Sequence, residues 1–158
     1  MTTVTLRPMT PTEFEEWQAM LAEDYAAEQV AAGTWPADGA VQRAREENAR
    51  LLPEGAATER MLFLRGMDAD GEPVGRVWVA LDHPRGAPGV AFLFDIEVLE
   101  DRRGQGFGRA LLAAAEDAAR QAGAVALELN VFGKNATARG LYSSSGYEVV
   151  TQQMRKAL

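Results

Sequence analysis

The spacing of apolar positions changes period several times along the chain, and each change marks an element. "TVTLRPM" alternates and predicts an edge strand with Pro8 near its end. The period then lengthens to that of a helix. Thr10 as N-cap, Pro11 at the first helical position and Glu13 completing a capping box predict a helix that Gly33 ends. Phe14, Trp17 and Leu21 form its apolar face, opposite an acidic one. A second helix is predicted from about Asp38 to Leu52, stopped by Pro53. Short apolar runs follow. "RMLFLRGM" and "EPVGRVWVAL" read as strands joined at the Asp70-Gly71 turn, and "GVAFLFDIEVL" as a third strand. "GFGRALLAAAEDAARQAG" returns to helical spacing, with Leu111, Leu112, Ala115 and Ala119 on one stripe and Gly123 beyond its end. "AVALELNVF" predicts a strand, "NATARGLYSSSG" a short helix capped by Asn135, and "YEVVTQQM" a last strand.

The order of these elements fixes where a ligand would bind. Strand 90–99, helix 106–122 and strand 125–131 make a strand-helix-strand crossover, so the two strands are expected to be parallel, with a right-handed connection. Ligands of such units bind beyond the carboxyl ends of the strands. "EDRRGQGFGRALL" lies at that end, directly before a helix start.

Composition narrows the chemistry. At 158 residues, 47% hydrophobic and 25% charged, residues 1–158 are expected to form one soluble globular domain. There is no cysteine, which excludes disulfides and thiolate metal sites, and the lone histidine, His83, sits in the turn-like "LDHPRGAPG" as a solvated loop residue. No metal site is expected. The start lacks an apolar signal region and no stretch is long enough to cross a bilayer, so a cytoplasmic location and no membrane partner are expected. The net charge of −7 opposes nucleic-acid binding. Charge is uneven, however: residues 1–60 carry eleven acids and five bases, whereas residues 101–140 carry four acids and six bases. An anion would be held in the second region.

A helix start presents unpaired N–H groups and partial positive charge, and glycines let a phosphate approach the backbone. "RRGQGFGR" adds cations on both flanks, which makes the loop a pyrophosphate cradle by type. Other phosphate motifs fail. A dinucleotide fingerprint starting at Gly104 needs glycine where Arg109 stands, and the Gly-Lys-Ser/Thr of a nucleoside-triphosphate loop is absent. An RNA-binding pattern fails at Gln105 and Gly108.

"VLEDRRGQGFGRALL" resembles the acyl-CoA-binding signature Q/R-x-x-G-x-G/A of the GCN5-related N-acetyltransferase superfamily, with Arg103, Gly106 and Gly108 in the fixed places. "LNVFGKNATARGLYSSSGYE" is similar to that superfamily's last block, matched by Asn135, Ala138, Leu141, Tyr142, Gly146 and Tyr147. The loop between Leu129 and Asn135 departs from the commonest form by about two extra residues. The resemblance implies an α+β fold of three α/β/α layers, in which a mixed, largely antiparallel sheet splays between two central parallel strands. It implies acetyl-CoA as co-substrate, with the pyrophosphate on Arg103, Gly104, Gln105, Gly106, Phe107, Gly108 and Arg109. The pantetheine would lie along the backbone of Ile96 and Val98, near Asn135. Homodimers are common in the superfamily.

Acyl transfer to an amine needs a base, an oxyanion contact and a proton for the departing thiolate. Tyr142 suits the last task, because a phenol titrates near pH 10, close to an alkyl thiol, and the resemblance implies the same role. Strict alternation along strand 90–99 would put Leu93, Asp95, Glu97 and Leu99 on one face, and Phe92, Phe94, Ile96 and Val98 on the other. Neighbouring carboxylates raise one another's pKa, so Glu97 is the expected base, with Asp95 and Glu128 as contacts for the substrate's ammonium. The same side chains are equally suited to pairing with an arginine or lining a solvated face. The resemblance implies that the first two helices wall the acceptor site; here they are acidic, with Trp17, Tyr25 and Trp35 nearby in sequence and Trp35 the expected substrate contact, which favours a small cationic or peptide amine. Arg102 and Arg139 read as solvated or phosphate-near charges, and Gly140 as a close-packing position inside its helix. The function expected is N-acetyl transfer by direct attack in a ternary complex. The alternative from another class is a catalytically silent acyl-CoA sensor, which Tyr142 disfavours.

Overall fold

The computed structural model describes residues 2–158. A five-stranded sheet runs in chain order: β1 (Thr5–Pro8), β2 (Met61–Met67), β3 (Pro73–Ala80), β4 (Val90–Val98) and β5 (Ala126–Leu129). The first four strands pair antiparallel and β5 joins β4 in parallel, as the crossover through α3 (Phe107–Gln121) requires. Helices α1 (Pro11–Ala31) and α2 (Ala40–Leu51) cover one face; α3 and α4 (Ala136–Ser144) belong to the other.

Local chemistry explains the helix starts. Thr10 Oγ1 accepts from the Glu13 amide at 3.2 Å and the Glu13 carboxylate accepts from the Thr10 amide at 3.0 Å, the reciprocal capping box. Glu13 also pairs with Arg7 at 2.8 Å, and that guanidinium leads in holding its carboxyl down to about 2. The α2 helix starts two residues later than expected, because Gly39 takes a left-handed φ of 73° as its N-cap.

The two faces are packed separately. Val77, Val79, Ala91, Leu93, Leu111, Leu112, Ala115 and Ala119 form the core under α3. On the opposite face Trp17, Leu21, Leu52, Phe63 and Trp78 pack together, with Trp17 edge-on to Trp78 at 5.5 Å between ring centroids. Gly66 and Gly75, paired across β2 and β3, lie under Leu111, which fills the space a side chain would need there.

Three expectations are corrected. "YEVVTQQM" forms no strand: residues 147–154 are largely exposed and no ladder includes them. Its β-type residues have no neighbouring strand within this chain. His83 is buried rather than solvated, edge-on to Phe92 at 5.4 Å, because the loop after β3 folds back over the start of β4. No atom outside its own helix turn lies within 4 Å of where a Cβ on Gly140 would sit, so close packing does not account for it in the single chain.

Candidate active site

The site begins where two parallel strands part. β4 and β5 pair from Val90 with Ala126 to Leu93 with Leu129; β5 then ends, while β4 continues to Val98 paired with β3 alone. The other edge of residues 94–98 therefore faces a gap.

A bulge sets which side chains line it. Trp78 pairs with Asp95 and Val79 with Leu93, so Phe94 is the extra residue. Strict alternation fails at this point. Leu93 joins Ile96 and Val98 on the α3 face, while Phe94 stacks on Trp78 at 4.5 Å on the α1 face, beside Asp95 and Glu97.

The loop at the carboxyl end of β4 contains a 3₁₀ turn (Glu100–Arg102) and two left-handed glycines, Gly104 at φ 72° and Gly106 at φ 86°, the second of them the N-cap of α3. A residue with a Cβ would be strained at either. Gly106 offers no side chain to cap α3, so the first-turn amides are open to an external acceptor. No atom lies within 4 Å of where a Cβ would sit on Gly104. Open amides, left-handed turns and flanking arginines fit a pyrophosphate. Gln105 Nε2 closes the loop on the Asp101 carbonyl at 3.1 Å, and Phe107 lies under the Arg102 guanidinium at 4.8 Å.

The arginines divide the work. Arg103 donates to the Val98 carbonyl at 3.2 Å and to Glu97 at 3.0 Å, tying the loop to the strand. Arg109 donates to Ser144 and Ser145 at 2.8 and 3.1 Å, joining the start of α3 to the end of α4. Arg102 pairs with Asp68, which replaces the solvated reading of that side chain. Arg139 donates to the Gly133 carbonyl at 3.0 Å, which fixes it within the loop before α4.

Across the gap stands α4. Asn135 caps it, its Oδ1 accepting from the Ala138 amide at 3.1 Å. Leu141 packs toward Gly108, and Tyr142 packs against the α3-face core, half-buried and tilted on Tyr147 at 5.7 Å. Burial first, and the Asp95 charge second, push the Tyr142 phenol above its usual value, so it holds its proton at neutral pH. Tyr147 instead donates to Glu116 at 2.9 Å.

The α1 face of the site is an ion-pair network around buried Arg76. Its Nε donates to Asp95 at 2.8 Å, its Nη2 pairs with Glu97, and Asp24 lies 4.0 Å away. Asp95 also accepts from Trp17 Nε1 at 2.9 Å, so its Oδ2 is used twice within the fold. Glu97, the expected base, has one oxygen on Arg76 and the other on Arg103. Glu128 faces His83 at 3.3 Å and Arg85 at 3.9 Å. Trp35 is corrected: it is buried between α1 and α2, edge-on to Tyr25 at 5.3 Å and under Arg43 at 4.3 Å, and does not line an open acceptor wall. Among the described residues no cluster of three potential metal ligands occurs, and no helix is long and apolar enough to cross a membrane.

The sequence reading missed Glu28. It continues the stripe Trp17, Leu21, Asp24 along the face of α1 that meets β3 and β4. Burial first, then the charges of Asp95, Asp24 and Glu97, raise its carboxyl above the ordinary range. The spacing from Trp17 was legible; the carboxylates of β4 it approaches were not.

The Acetyltransferase (GNAT) family profile matches residues 14–147. The chain is 31% identical to the uncharacterized N-acetyltransferase YdgE of Bacillus subtilis (strain 168), over 98% of each chain. It is 34% identical to YycN of the same organism, covering 99% of both. The crystal structure of YycN superposes with a TM-score of 0.92, over 99% of each chain. A PaiA N-acetyltransferase from Thermoplasma acidophilum, solved in complex with coenzyme A, shares the fold at a TM-score of 0.67 and 19% identity, covering 96% of this chain and 93% of that one.

Proposed function

The chain belongs to the Acetyltransferase (GNAT) family and is an acyltransferase, and on that premise we propose that it transfers an acetyl group from acetyl-CoA to a cationic primary amine within a ternary complex. The observation that carries this reading is the gap itself: a free β4 edge with an uncapped glycine turn at one end and a proton-holding phenol on the far wall.

The residues divide the task. The amides of Gly104 to Arg109, with Arg103, hold the pyrophosphate; the backbone of Ile96 and Val98 pairs with the pantetheine arm, and Asn135 borders it. Acetyl-CoA supplies the acyl group as a thioester. Backbone N–H groups on the free β4 edge, near Val98, face the charge that develops on the acyl oxygen. Asp24, Asp95 and Glu97 attract an ammonium, and their excess over Arg76 and Arg103 makes this face anionic. Glu28 takes the proton that the ammonium must shed, a role it assumes from Glu97, whose oxygens are already on two guanidinium groups. As the amine nitrogen bonds to the acyl carbon and the carbon–sulfur bond breaks, Tyr142 gives its proton to sulfur, and the second proton leaving the nitrogen restores the phenol.

Thiol release over a panel of polyamines, aminoglycosides, amino acids and peptide N-termini tests the reading. Turnover with at least one amine is expected; acetyl-CoA binding without turnover on any of them would make the chain a sensor. Tyr142→Phe should lower kcat by about 10²-fold while CoA affinity stays nearly unchanged. In the pH profile, rate should rise as Glu28 deprotonates, through a pKa raised above the carboxylate norm, and Glu28→Gln should remove that limb.

A further inference from the structure

Helices α1 and α2 meet along a seam of small residues that is closed over only part of its length. Toward the connection between them Ala22, Ala26, Ala40 and Ala44 are buried together with Trp35, helix against helix. Toward the start of α1 and the end of α2 the helices part over a pocket of about 280 Å³. Phe14 and Leu52 give it apolar walls, and the short side chains of Ala19 and Ala49 leave it room.

Two amides in this pocket are unsatisfied. Asn48, on α2, is only 7% exposed, yet its Nδ2 has no hydrogen-bond partner, and Gln18 Nε2, on the facing helix, is buried in the same condition. A buried N–H without an acceptor has given up its hydrogen bonds to water for nothing, so a fold keeps two of them in one pocket only at a cost. An acceptor seated in the pocket would satisfy both.

Charge indicates which acceptor. Among the described residues that line the pocket, Arg45 is the one ionised side chain. Arg43 on the same helix pairs with Glu47 at 3.4 Å, whereas Arg45 is in no ion pair among the described residues. Two amide donors and a guanidinium match an anion with two acceptor oxygens, a carboxylate. The apolar walls match a compact hydrocarbon body. A cavity of about 150 Å³ accepts a benzene ring, so this one has room for a ring and its carboxylate.

The pocket is separate from the acceptor side of the gap. Trp17, Asp24 and Glu28 belong to the stripe of α1 that meets the sheet, whereas Phe14, Gln18 and Ala22 belong to the adjoining stripe that meets α2. From Gln18 to Asp24 and Glu28 the rise along the helix is about 9–15 Å.

We propose that the seam between α1 and α2 is a second binding site, which takes a small monocarboxylate with an aromatic or branched body. Its carboxylate oxygens accept from Asn48 Nδ2 and Gln18 Nε2 and face Arg45, and its body lies against Phe14 and Leu52.

Benzoate titrated into the full chain, with the side-chain amide signals followed by two-dimensional NMR, tests the site. Saturable shifts of the Asn48 and Gln18 amides are expected; no shift at tens of millimolar overturns the proposal. Benzamide has the same shape without the charge and should bind about tenfold more weakly, so equal affinity would overturn the carboxylate assignment. Inorganic phosphate should leave both amides unmoved, and shifts as large as those with benzoate would reduce the site to an adventitious anion contact. Arg45→Gln should weaken benzoate about tenfold, and Asn48→Leu should abolish its binding. Ala49→Leu, at an exposed position, fills the pocket without touching either amide and covers the case in which Asn48→Leu does not fold. Benzoate shifts of the Gln18 amide that persist undiminished in Ala49→Leu overturn the site.

Discussion

β3 and β5 stand two places apart in one sheet and are built oppositely. From Val74 to Ala80 every residue of β3 is buried, between the tryptophan cluster on one face and Leu111 on the other, whereas no residue of β5 is. The gap beside β4 opens between the two regimes: β4 gives its inner edge to the packed half and its outer edge to the gap. Groups that must be held still, Arg76, Asp95 and Glu97, belong to the packed half. Tyr142 and Asn135 belong to the open half.

The widest contrast is in core truncation. Leu111→Ala, at a site with no exposure, should lower the unfolding free energy by about 3–5 kcal/mol, read from urea melts. Leu129→Ala on β5 should cost less than ~2 kcal/mol by the same measure, since its side chain is only partly buried. Equal losses would dissolve the distinction between the halves.

Glycine substitutions should differ in sign. A Cβ on Gly75 would overlap the Glu97 carbonyl oxygen and crowd Leu111, so Gly75→Ala should destabilise by about 3 kcal/mol as β3 is forced from β4. Gly140→Ala meets no atom within 4 Å and sits inside a helix, so in a monomeric chain it should stabilise by about 1 kcal/mol. A loss at Gly140 in thermal melts would mean that another surface covers α4.

The smallest effect separates acid sensitivity. Glu13 is held down to about 2 in the folded chain by Arg7, against 4.5 as the ordinary value, so the pair stabilises above pH 4.5 and its contribution fades as pH falls toward 2. Glu13 is partly exposed, so Glu13→Gln should flatten the acid limb of Tm against pH by less than ~1 kcal/mol. An unchanged limb would place the acid response outside the β1–α1 corner.

Much of this is legible in the sequence. Thr10, Pro11 and Glu13 announce α1 because capping is a contest over a few neighbouring atoms. Gly104 and Gly106 announce a turn because left-handed backbone is a local cost. Asn135 announces α4 for the same local reason. Other features were not legible. The Phe94 bulge moves Leu93 to the other face through register against β3, and His83 and Trp35 owe their burial to segments far along the chain.

The sequence by itself determined the order of the elements through α4, the parallel crossover, the glycine turn before α3 and the tyrosine on α4, since each follows from short-range sterics or the period of apolar residues. Tertiary structure alone decided which carboxylates are already engaged, which charges bear on Glu28, and that "YEVVTQQM" is left without a partner. Ion pairs and ladders depend on distance in space, and a β-strand needs a neighbour that its own residues cannot supply.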